Sequence, residues 1–216
     1  MKHILSETDR DLLDRRIADT EKLTRAQIVL AAVRRSDSYA EIPWKAFAIG
    51  SALAGLVVFL IDLLVLGWIT GAIIILSAAG VLATGALFAT LTVLAPGFAR
   101  LFLTESRSET ETMQYAESLF LSHELFGTQG RRGILLLVSQ FERQVVILPD
   151  KGVRELLSTD IMKDIIMKMT PLLRKKMLKG ALETGLGELG KILGPTVVTR
   201  PDKDELENEI IVEEGE

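Results

Sequence analysis

The chain has 216 residues, no cysteine, two histidines and a formal net charge of −4 at pH 7. The absence of cysteine excludes disulfides, thiolate zinc sites, iron–sulfur clusters and cysteine nucleophiles. The histidines, His3 and His123, are far apart in the sequence, which argues against a histidine-rich metal site. Mean hydropathy is +0.30 although 25% of the residues are charged, so the apolar residues must be concentrated in one part of the chain.

A helix and a strand are predicted in the first 35 residues. Ser6 and Asp9 have the spacing of a helix N-cap box, and apolar residues at helical intervals predict a helix from Glu7 to Leu23. Residues Ala26–Val33 are apolar on both faces, as is typical of a buried strand. The charged segment Met1–Arg16 has no apolar stretch, so a signal peptide is not expected.

A long apolar segment follows. Between Ala46 and Phe98 the one charged residue is Asp62. Because a membrane-spanning helix needs about 20 apolar residues, this segment predicts two such helices, Trp44–Leu66 and Ile69–Pro96, joined by a tight turn. The alternative is a buried helical hairpin of a soluble protein, but small soluble domains rarely contain so long an apolar run.

The charges around this segment predict its orientation. Basic residues lie on both flanks and the turn between the helices is uncharged; the flanking residues are Arg34, Arg35, Lys45, Arg100 and Arg107. The positive-inside rule therefore predicts an inner (cytoplasmic) membrane protein with both termini in the cytoplasm. Trp44 and Trp68 are expected at opposite interfaces, and Asp62 is expected near the outer end of its helix, where a structural role is favoured over a functional one.

Small residues recur four apart within both apolar helices, as Gly50/Ala54, Ser51/Gly55, Gly80/Thr84 and Gly85/Ala89. This spacing lets helix backbones approach closely. It predicts tight packing of the hairpin and a homo-oligomer formed through it.

A helix and two strands are predicted after the hairpin. The helix is expected over Ser108–Phe126, and its expected inner face is Met113, Ala116, Phe120 and His123. The apolar run Gly133–Ser139 and the segment Arg143–Leu148 predict two strands of a β-hairpin. His123 is interpreted as a core or boundary residue, with the alternative of a general base acting on Ser122 or Thr128.

The C-terminal part is predicted to be helical. Asp160 is expected to cap a helix over Ile161–Met169, and Thr170-Pro171 is expected to start a new one. The second helix has a leucine stripe and several glycines that suggest close packing; the stripe is Leu178, Leu182, Leu186, Leu189 and Leu193. From Pro201 onward eight acidic residues stand against one lysine, which predicts a solvated, partly disordered tail.

These elements predict an α/β fold, with a small mixed sheet of at least three strands covered by helices and an inserted two-helix transmembrane hairpin. The predicted domains are a discontinuous α/β domain over residues 1–43 and 99–197, the hairpin over 44–98, and the acidic tail over 198–216.

The order of the elements after the hairpin resembles a known family. Phe120, Thr128, the strand Gly133–Ser139, the turn with Glu142-Arg143 and the sequence Asp150-Lys151-Gly152 are similar to the TPM domain. That family includes thylakoid-lumen and photosystem-repair proteins, nematode receptor modulators and bacterial membrane proteins. The most similar branch consists of bacterial membrane proteins with two transmembrane helices inside the domain, and the resemblance extends over nearly the whole chain.

The resemblance implies one of two functions. Some members are assigned acid phosphatase activity and divalent-cation binding, and others assist the assembly or repair of membrane complexes. Glu142 and Asp150 match the family's acidic cluster, which implies a bound divalent cation such as calcium. The residues after Gly152, Leu156-Leu157-Ser158, depart from the family's pattern of tryptophan or acidic residues.

The residues themselves favour a more modest interpretation. Glu142 and Arg143 are expected to form a solvated turn with a local ion pair, or else a surface that a partner or cation recognises. Asp150 is expected to accept backbone hydrogen bonds in a turn, and a tight calcium site takes about 6–8 oxygen ligands.

A basic cluster lies on the C-terminal helices beside several methionines; it consists of Lys163, Lys168, Arg174, Lys175, Lys176 and Lys179. It is interpreted as a solvated face over a methionine-rich core, or alternatively as a contact with anionic lipid headgroups.

We therefore expect a membrane-anchored cytoplasmic domain that acts as a binding, scaffold or assembly-repair factor. The expected partners are the lipid bilayer and another membrane protein. Binding to nucleic acid is not expected. A phosphatase-like hydrolase is the alternative, although no phosphate-binding loop or nucleophile motif occurs in the sequence.

Overall fold

The computed structural model describes residues 5–65, 71–194 and 210–213. The described helices and strands are, in chain order, α1 (Glu7–Thr24), β1 (Gln27–Val33), α2 (Glu41–Leu64), α3 (Gly71–Leu94), α4 (Pro96–Ala99), α5 (Glu105–Ser122), β2 (Gly133–Ser139), β3 (Gln144–Pro149), α6 (Lys151–Arg154), α7 (Thr159–Arg174), α8 (Leu178–Leu193) and β4 (Ile211–Glu213), with short 3₁₀ turns at Arg100–Phe102 and Leu125–Gly127.

The chain divides into two compact units. One consists of the residues up to Asp37 together with those from Glu109 onward, and the other is Ser38–Ser108. The first unit contains the four-stranded sheet and the second contains the two long apolar helices.

The sheet has the strand order β3-β2-β1-β4. β1 and β2 are parallel over seven residues, from Gln27 opposite Gly133 to Val33 opposite Ser139. β2 and β3 form the predicted antiparallel hairpin. The predicted fold class, a mixed sheet covered by helices with an inserted hairpin of two long apolar helices, is confirmed.

Both faces of the central strands are buried, which explains their continuous apolar sequences. On one face Ile28, Leu136 and Val138 pack with buried residues of α1, α7 and α8. On the other face alternate residues of the same strands, Leu135 among them, pack against Ala116 and neighbouring residues of α5.

The inner face of α5 differs from the prediction. Ala116 and Phe120 are buried, but Met113 and His123 are exposed. The buried face is completed by Thr112 and Leu119 instead. The exposure of His123 overturns its interpretation as a core or boundary histidine.

The leucine stripe of α8 is buried as predicted. Gly185 explains why glycine occurs in this helix, because a Cβ there would lie 2.8 Å from Leu136 Cδ2 and 3.0 Å from Met169 Sδ. Gly187 has open space around it, so it serves no close packing among the described residues.

The predicted helix break at Thr170-Pro171 is wrong. α7 continues through Pro171 to Arg174, and its N-cap is Ser158 rather than Asp160. The Thr170 hydroxyl donates to the carbonyl of Ile166 at 2.7 Å, one helical turn back, rather than capping a new helix.

The C-terminal segment contributes an edge strand. In β4, Ile211, Val212 and Glu213 pair in parallel with Ala31–Val33 of β1. The solvated-tail interpretation therefore fails for these residues, while most of the predicted tail lies outside the described residues.

In the second unit, α2 and α3 each have 24 residues, a length of about 36 Å at 1.5 Å per residue. Both are long and apolar enough to cross a membrane, and their most apolar windows have mean hydropathies of 2.3 and 2.2. Large apolar side chains are exposed along them, such as Leu56, Phe59 and Ile75. The predicted turn and Trp68 lie outside the described residues.

Two glycines bring α2 and α3 together. A Cβ at Gly50 would lie 2.8 Å from the Phe88 ring, and a Cβ at Gly85 would lie 2.9 Å from the Phe47 ring and would overlap Ser51 Oγ. Gly55 and Gly80 have nothing within 4 Å. Only part of the predicted small-residue pattern therefore serves packing within the hairpin.

Aromatic and charged residues gather near the chain ends of the hairpin. The Phe98 ring packs edge-on against Phe88 and Phe102, with ring centroids 5.7 and 5.3 Å away. Glu41 lies 3.8 Å from Lys45 and 3.7 Å from Arg107.

Candidate functional site at the two ends of the β-hairpin

Glu142 lies in the turn between β2 and β3 and is buried, with 7% of its surface exposed. Its Oε1 accepts a hydrogen bond from the backbone N–H of Ser36 at 2.8 Å. Its Oε2 accepts a short hydrogen bond from the Ser139 hydroxyl. The prediction of a solvated turn is therefore wrong for Glu142, because both carboxylate oxygens bind groups inside the fold.

The same turn is attached to the segment that follows β1. The backbone N–H of Gln140 donates to the carbonyl of Val33 at 3.0 Å, and that of Phe141 donates to the carbonyl of Arg34 at 2.8 Å. The Arg35 guanidinium lies 4.5 Å from the centre of the Phe141 ring, a cation–π geometry. The turn and this segment thus form one structure at the carboxyl ends of the parallel strands, where open α/β sheets commonly bind ligands.

Arg143 is exposed in this turn, as is Gln140. Its φ of 59° places it in the left-handed region, which a non-glycine residue seldom adopts. Of the two residues predicted to form a partner surface, Arg143 is accessible and Glu142 is not.

The other end of the hairpin holds Asp150, which is 3% exposed. Arg131 donates to both of its oxygens, with Nε–Oδ2 at 2.6 Å and Nη2–Oδ1 at 2.9 Å. The backbone N–H of Lys151 donates to Oδ1 at 2.7 Å, so Asp150 is also the N-cap of α6. The prediction that Asp150 accepts backbone hydrogen bonds in a turn is confirmed.

The pKa of Asp150 is lowered by this arrangement. Burial of the carboxyl acts in the opposite direction, but the hydrogen bonds from Arg131 and Lys151 and the positive charges of Arg131 and Arg154 outweigh it. Asp150 is therefore a charged acceptor at neutral pH, and its oxygens are already occupied by these donors.

Gly152 is required by the close approach of two loops. Its N–H donates to the Arg131 carbonyl at 2.8 Å, and a Cβ there would lie 2.7 Å from that same oxygen and would overlap the Gly130 carbonyl. The Asp150-Lys151-Gly152 sequence thus fastens the start of α6 to the loop that leads into β2.

Glu142 and Asp150 do not lie together. Glu142 binds Ser139 at the end of β2, whereas the Asp150 N–H binds the Gly133 carbonyl at its start. Six residue steps of about 3.4 Å separate these two ends by about 20 Å, so the two carboxylates cannot hold one cation. Whether either one binds calcium alone stays a prediction.

The described ranges, 5–65, 71–194 and 210–213, contain no group of three or more His, Asp or Glu side chains that could hold a metal ion. Ser139 is 1% exposed, so its hydroxyl, although bonded to Glu142, is not accessible to a substrate. The Glu142 carboxylate accepts hydrogen bonds from buried donors and so fixes the hairpin turn.

No sequence pattern predicted several of the buried polar residues. Ser36 and Thr112, whose hydroxyls lie 3.5 Å apart, come from segments on opposite sides of the apolar hairpin in the sequence. Glu21 is a further buried carboxylate, and it accepts the N–H of Ile28 at 2.6 Å at the start of β1. The sequence offered one indication of this role: Glu21 lies on the same face of the predicted helix as the apolar residues that become buried.

The site and fold together define an α/β domain with a mixed sheet, into which a hairpin of two apolar helices is inserted after the first strand. Residues 97–192 match the family model described as the TPM domain. This match confirms the predicted resemblance to the TPM domain over residues 97–192, just under half of the chain, whereas the resemblance seen in the sequence extended over nearly all of it.

One solved structure extends the comparison to the fold as a whole. The chain is similar to the BA42 protein of the psychrophilic bacterium Bizionia argentinensis, determined by NMR, with a TM-score of 0.59 and 15% sequence identity. The alignment covers 98% of this chain and 97% of that one. At this identity the likeness shows the fold alone. Among curated proteins there is no significant match.

Proposed function

We propose that this protein is a membrane-anchored TPM-domain protein that binds another membrane protein and assists its assembly or repair. The pairing of β1 with β2 carries the proposal. β1 precedes the apolar hairpin in the sequence and β2 follows it, and the two pair over seven residues. The sheet therefore cannot form without bringing together the two chain segments that flank the hairpin.

This topology suits an anchored binding domain. A domain attached by one flexible tether can be separated from its anchor by a single cut. Here a cut in one flank leaves the two parts joined through the sheet. The exposed apolar side chains of α2 and α3 fit a lipid environment, and the basic flanks favour a cytoplasmic location of the sheet.

The turn with Arg143 is the proposed contact surface. The exposed guanidinium of Arg143 is displayed by a turn that two backbone hydrogen bonds and Glu142 hold in place. Arg residues on rigid supports are favoured contacts at protein interfaces. Binding of this kind needs no free carboxylate, which agrees with the occupation of both Glu142 and Asp150 by internal donors.

Membrane attachment is tested by carbonate washing of native membranes. The intact chain is expected to stay in the membrane fraction, and its release would overturn the anchor. Reporter fusions at both termini are expected to report the cytoplasm; a signal from the opposite side would contradict the proposed orientation.

Partner binding is tested by placing a photo-crosslinking amino acid at position 143 of the full chain in native membranes. The expected result is a discrete adduct with a membrane protein. The matched control is the same group at Lys22, which is exposed on α1 and should give no such adduct. Identical adducts from both positions would count against the proposed surface.

A hydrolase remains the competing outcome. Purified full-length protein is assayed on a generic phosphate ester with and without divalent cations. Robust turnover that is lost in Glu142→Gln or Asp150→Asn, with the fold preserved, would replace the binding function with catalysis.

A further inference from the structure

The basic residues of α7, α8 and the turn between them fall into two groups, apart from Lys163, which is exposed near the start of α7. In the first group each residue has an acidic partner: Lys168 and Lys191 both bind Glu188 at 2.7 Å, and Lys179 binds Asp9 at 2.9 Å. These three lysines are part of the internal charge pairing of the sheet-bearing unit.

The second group is the turn between the two helices. Arg174, Lys175 and Lys176 are consecutive and exposed, and none of them has an ion pair within residues 5–65, 71–194 and 210–213. The sequence from 165 to 182 contains no acidic residue. The turn is therefore a compact positive patch without a negative neighbour in its own segment.

Two methionines border this patch. Met177 is 52% exposed and follows the basic run directly, and Met167 is 63% exposed. Met167 lies two helical turns before Arg174, about 10 Å away on the same side of α7. Met169, also on α7, differs from these two methionines because it is fully buried in the core. Large apolar side chains beside unpaired cations are typical of surfaces that lie at a membrane interface.

We propose that this basic turn, residues 174–177 together with Met167, contacts the anionic phospholipid headgroups of the bilayer. The inference rests on the proposed membrane anchor, which keeps the turn at a high effective concentration near the lipid surface. The cations complement the lipid phosphates, and the two methionines gain by reaching the boundary of the acyl chains. A nucleic acid backbone would satisfy the charges but offers no acyl chains for the methionines to reach.

The test uses the full chain with a single added cysteine. Because the chain has none of its own, Met177→Cys can be labelled selectively with an environment-sensitive fluorophore. The labelled protein is reconstituted into vesicles of phosphatidylcholine alone and of phosphatidylcholine mixed with phosphatidylglycerol. A blue shift of the emission is expected with phosphatidylglycerol, and it should decrease as added salt screens the headgroup charge.

A neutralised variant shows whether the cations cause this shift. It combines Arg174→Gln, Lys175→Gln and Lys176→Asn, with asparagine chosen because Lys176 has a φ of 59° and asparagine tolerates the left-handed region. Loss of three basic contacts should reduce the equilibrium for headgroup contact by on the order of 100-fold, which abolishes the shift. A charge-conserving variant, Arg174→Lys with Lys175→Arg and Lys176→Arg, should retain it.

The matched control removes the same charge elsewhere. Arg15→Gln, Arg16→Gln and Lys22→Gln neutralise three exposed residues of α1 and should leave the shift intact. An equal shift in both lipid mixtures, or equal loss in control and test variants, would overturn the proposal. A shift that appears only when an acidic peptide or an oligonucleotide is added would assign the patch to that class of partner instead.

Flotation of the same samples separates this inference from the anchor on which it rests. The wild type and the neutralised variant should both float with phosphatidylcholine vesicles through the hairpin. Failure to float would refute the anchor and the proposal together. Flotation without a lipid-dependent shift would refute the headgroup contact alone.

Discussion

The Glu142 carboxylate accepts the backbone N–H of Ser36 at 2.8 Å, across 106 positions of sequence. Ser36 follows β1, before the apolar hairpin, and Glu142 lies in the turn after β2. The same carboxylate accepts the Ser139 hydroxyl. One buried side chain thus links the segments on both sides of the insertion, and its role in the described structure is to hold them together.

Replacing Glu142 with alanine should destabilise the sheet-bearing unit. The change leaves the Ser36 N–H and the Ser139 hydroxyl buried without their acceptor, which costs about 1–3 kcal/mol. Glu142→Gln keeps one acceptor oxygen and should fall between alanine and wild type. The measurement is the urea midpoint in detergent by pulse proteolysis.

The control for this series is Gln140→Ala in the same turn. Gln140 is exposed, and its backbone N–H, which binds Val33, is unaffected by the change. Its midpoint should stay near that of the wild type. A Glu142→Ala midpoint equal to the control would mean that the buried hydrogen bonds contribute nothing to stability.

Local sequence patterns predicted the parts of the fold that depend on burial. The apolar runs of β1 and β2 and the two long apolar helices were all recognised, because hydrophobic burial leaves a continuous signal in the chain. The Ser6 N-cap was also predicted, and its oxygen accepts the Asp9 N–H at 3.2 Å. These features depend on residues close together in the sequence.

The errors concern polar groups whose partners are distant. A glutamate beside an arginine in a short turn has the pattern of a solvated ion pair, and nothing nearby indicates that Ser36 will bury it. Ile211 and Val212 stand among acidic residues, so their pairing with β1 has no local signal. Thr170-Pro171 has the pattern of a helix start, but continuous packing of α7 on the core outweighs the loss of the proline N–H.

The contribution of Asp150 to stability should depend on pH in a defined direction. Its pKa is lowered in the folded protein by Arg131 and Lys151, relative to an unfolded value of about 3.9. The stabilisation is therefore complete above that unfolded value and is lost as the pH falls through the lower folded-state pKa. Asp150→Ala should be less stable than wild type at pH 7, and the difference should shrink in strong acid.

The measurement is a series of urea midpoints for wild type and Asp150→Ala from neutral pH downward. Asp11→Ala is the control, since Asp11 is exposed on α1 and lies outside the β-hairpin. A gap between wild type and Asp150→Ala that stays constant to the lowest pH would show that shape, rather than charge, makes Asp150 important.

Gly152→Ala should destabilise the loop that leads into β2. The new Cβ would meet two backbone carbonyls, those of Gly130 and Arg131, and backbone yields less readily than a side-chain end. Overpacking of this kind costs about 1–3 kcal/mol. Gly187→Ala in α8 is the matched control. Its added Cβ would have nothing within 4 Å, so the change should stabilise the helix by up to about 1 kcal/mol. Equal effects of the two changes on the urea midpoint would contradict the close approach.

Gly85 and Gly55 separate packing within the apolar hairpin from association between copies. An isoleucine at Gly85 would collide with Ser51 and with the Phe47 ring, 2.9 Å from the added Cβ, whereas Gly55 has nothing within 4 Å. Gly85→Ile should therefore lower the thermal stability of the detergent-solubilised protein. Gly55→Ile should leave that stability unchanged and, if copies pair along the small-residue face of α2, reduce energy transfer between labelled chains in vesicles.

Leu56→Ile, on the exposed side of the same helix, is the control for added β-branching. Energy transfer that is the same for wild type and Gly55→Ile would rule out this face as the site of self-association, and an unchanged melting temperature for Gly85→Ile would contradict the packing of Gly85 against Phe47.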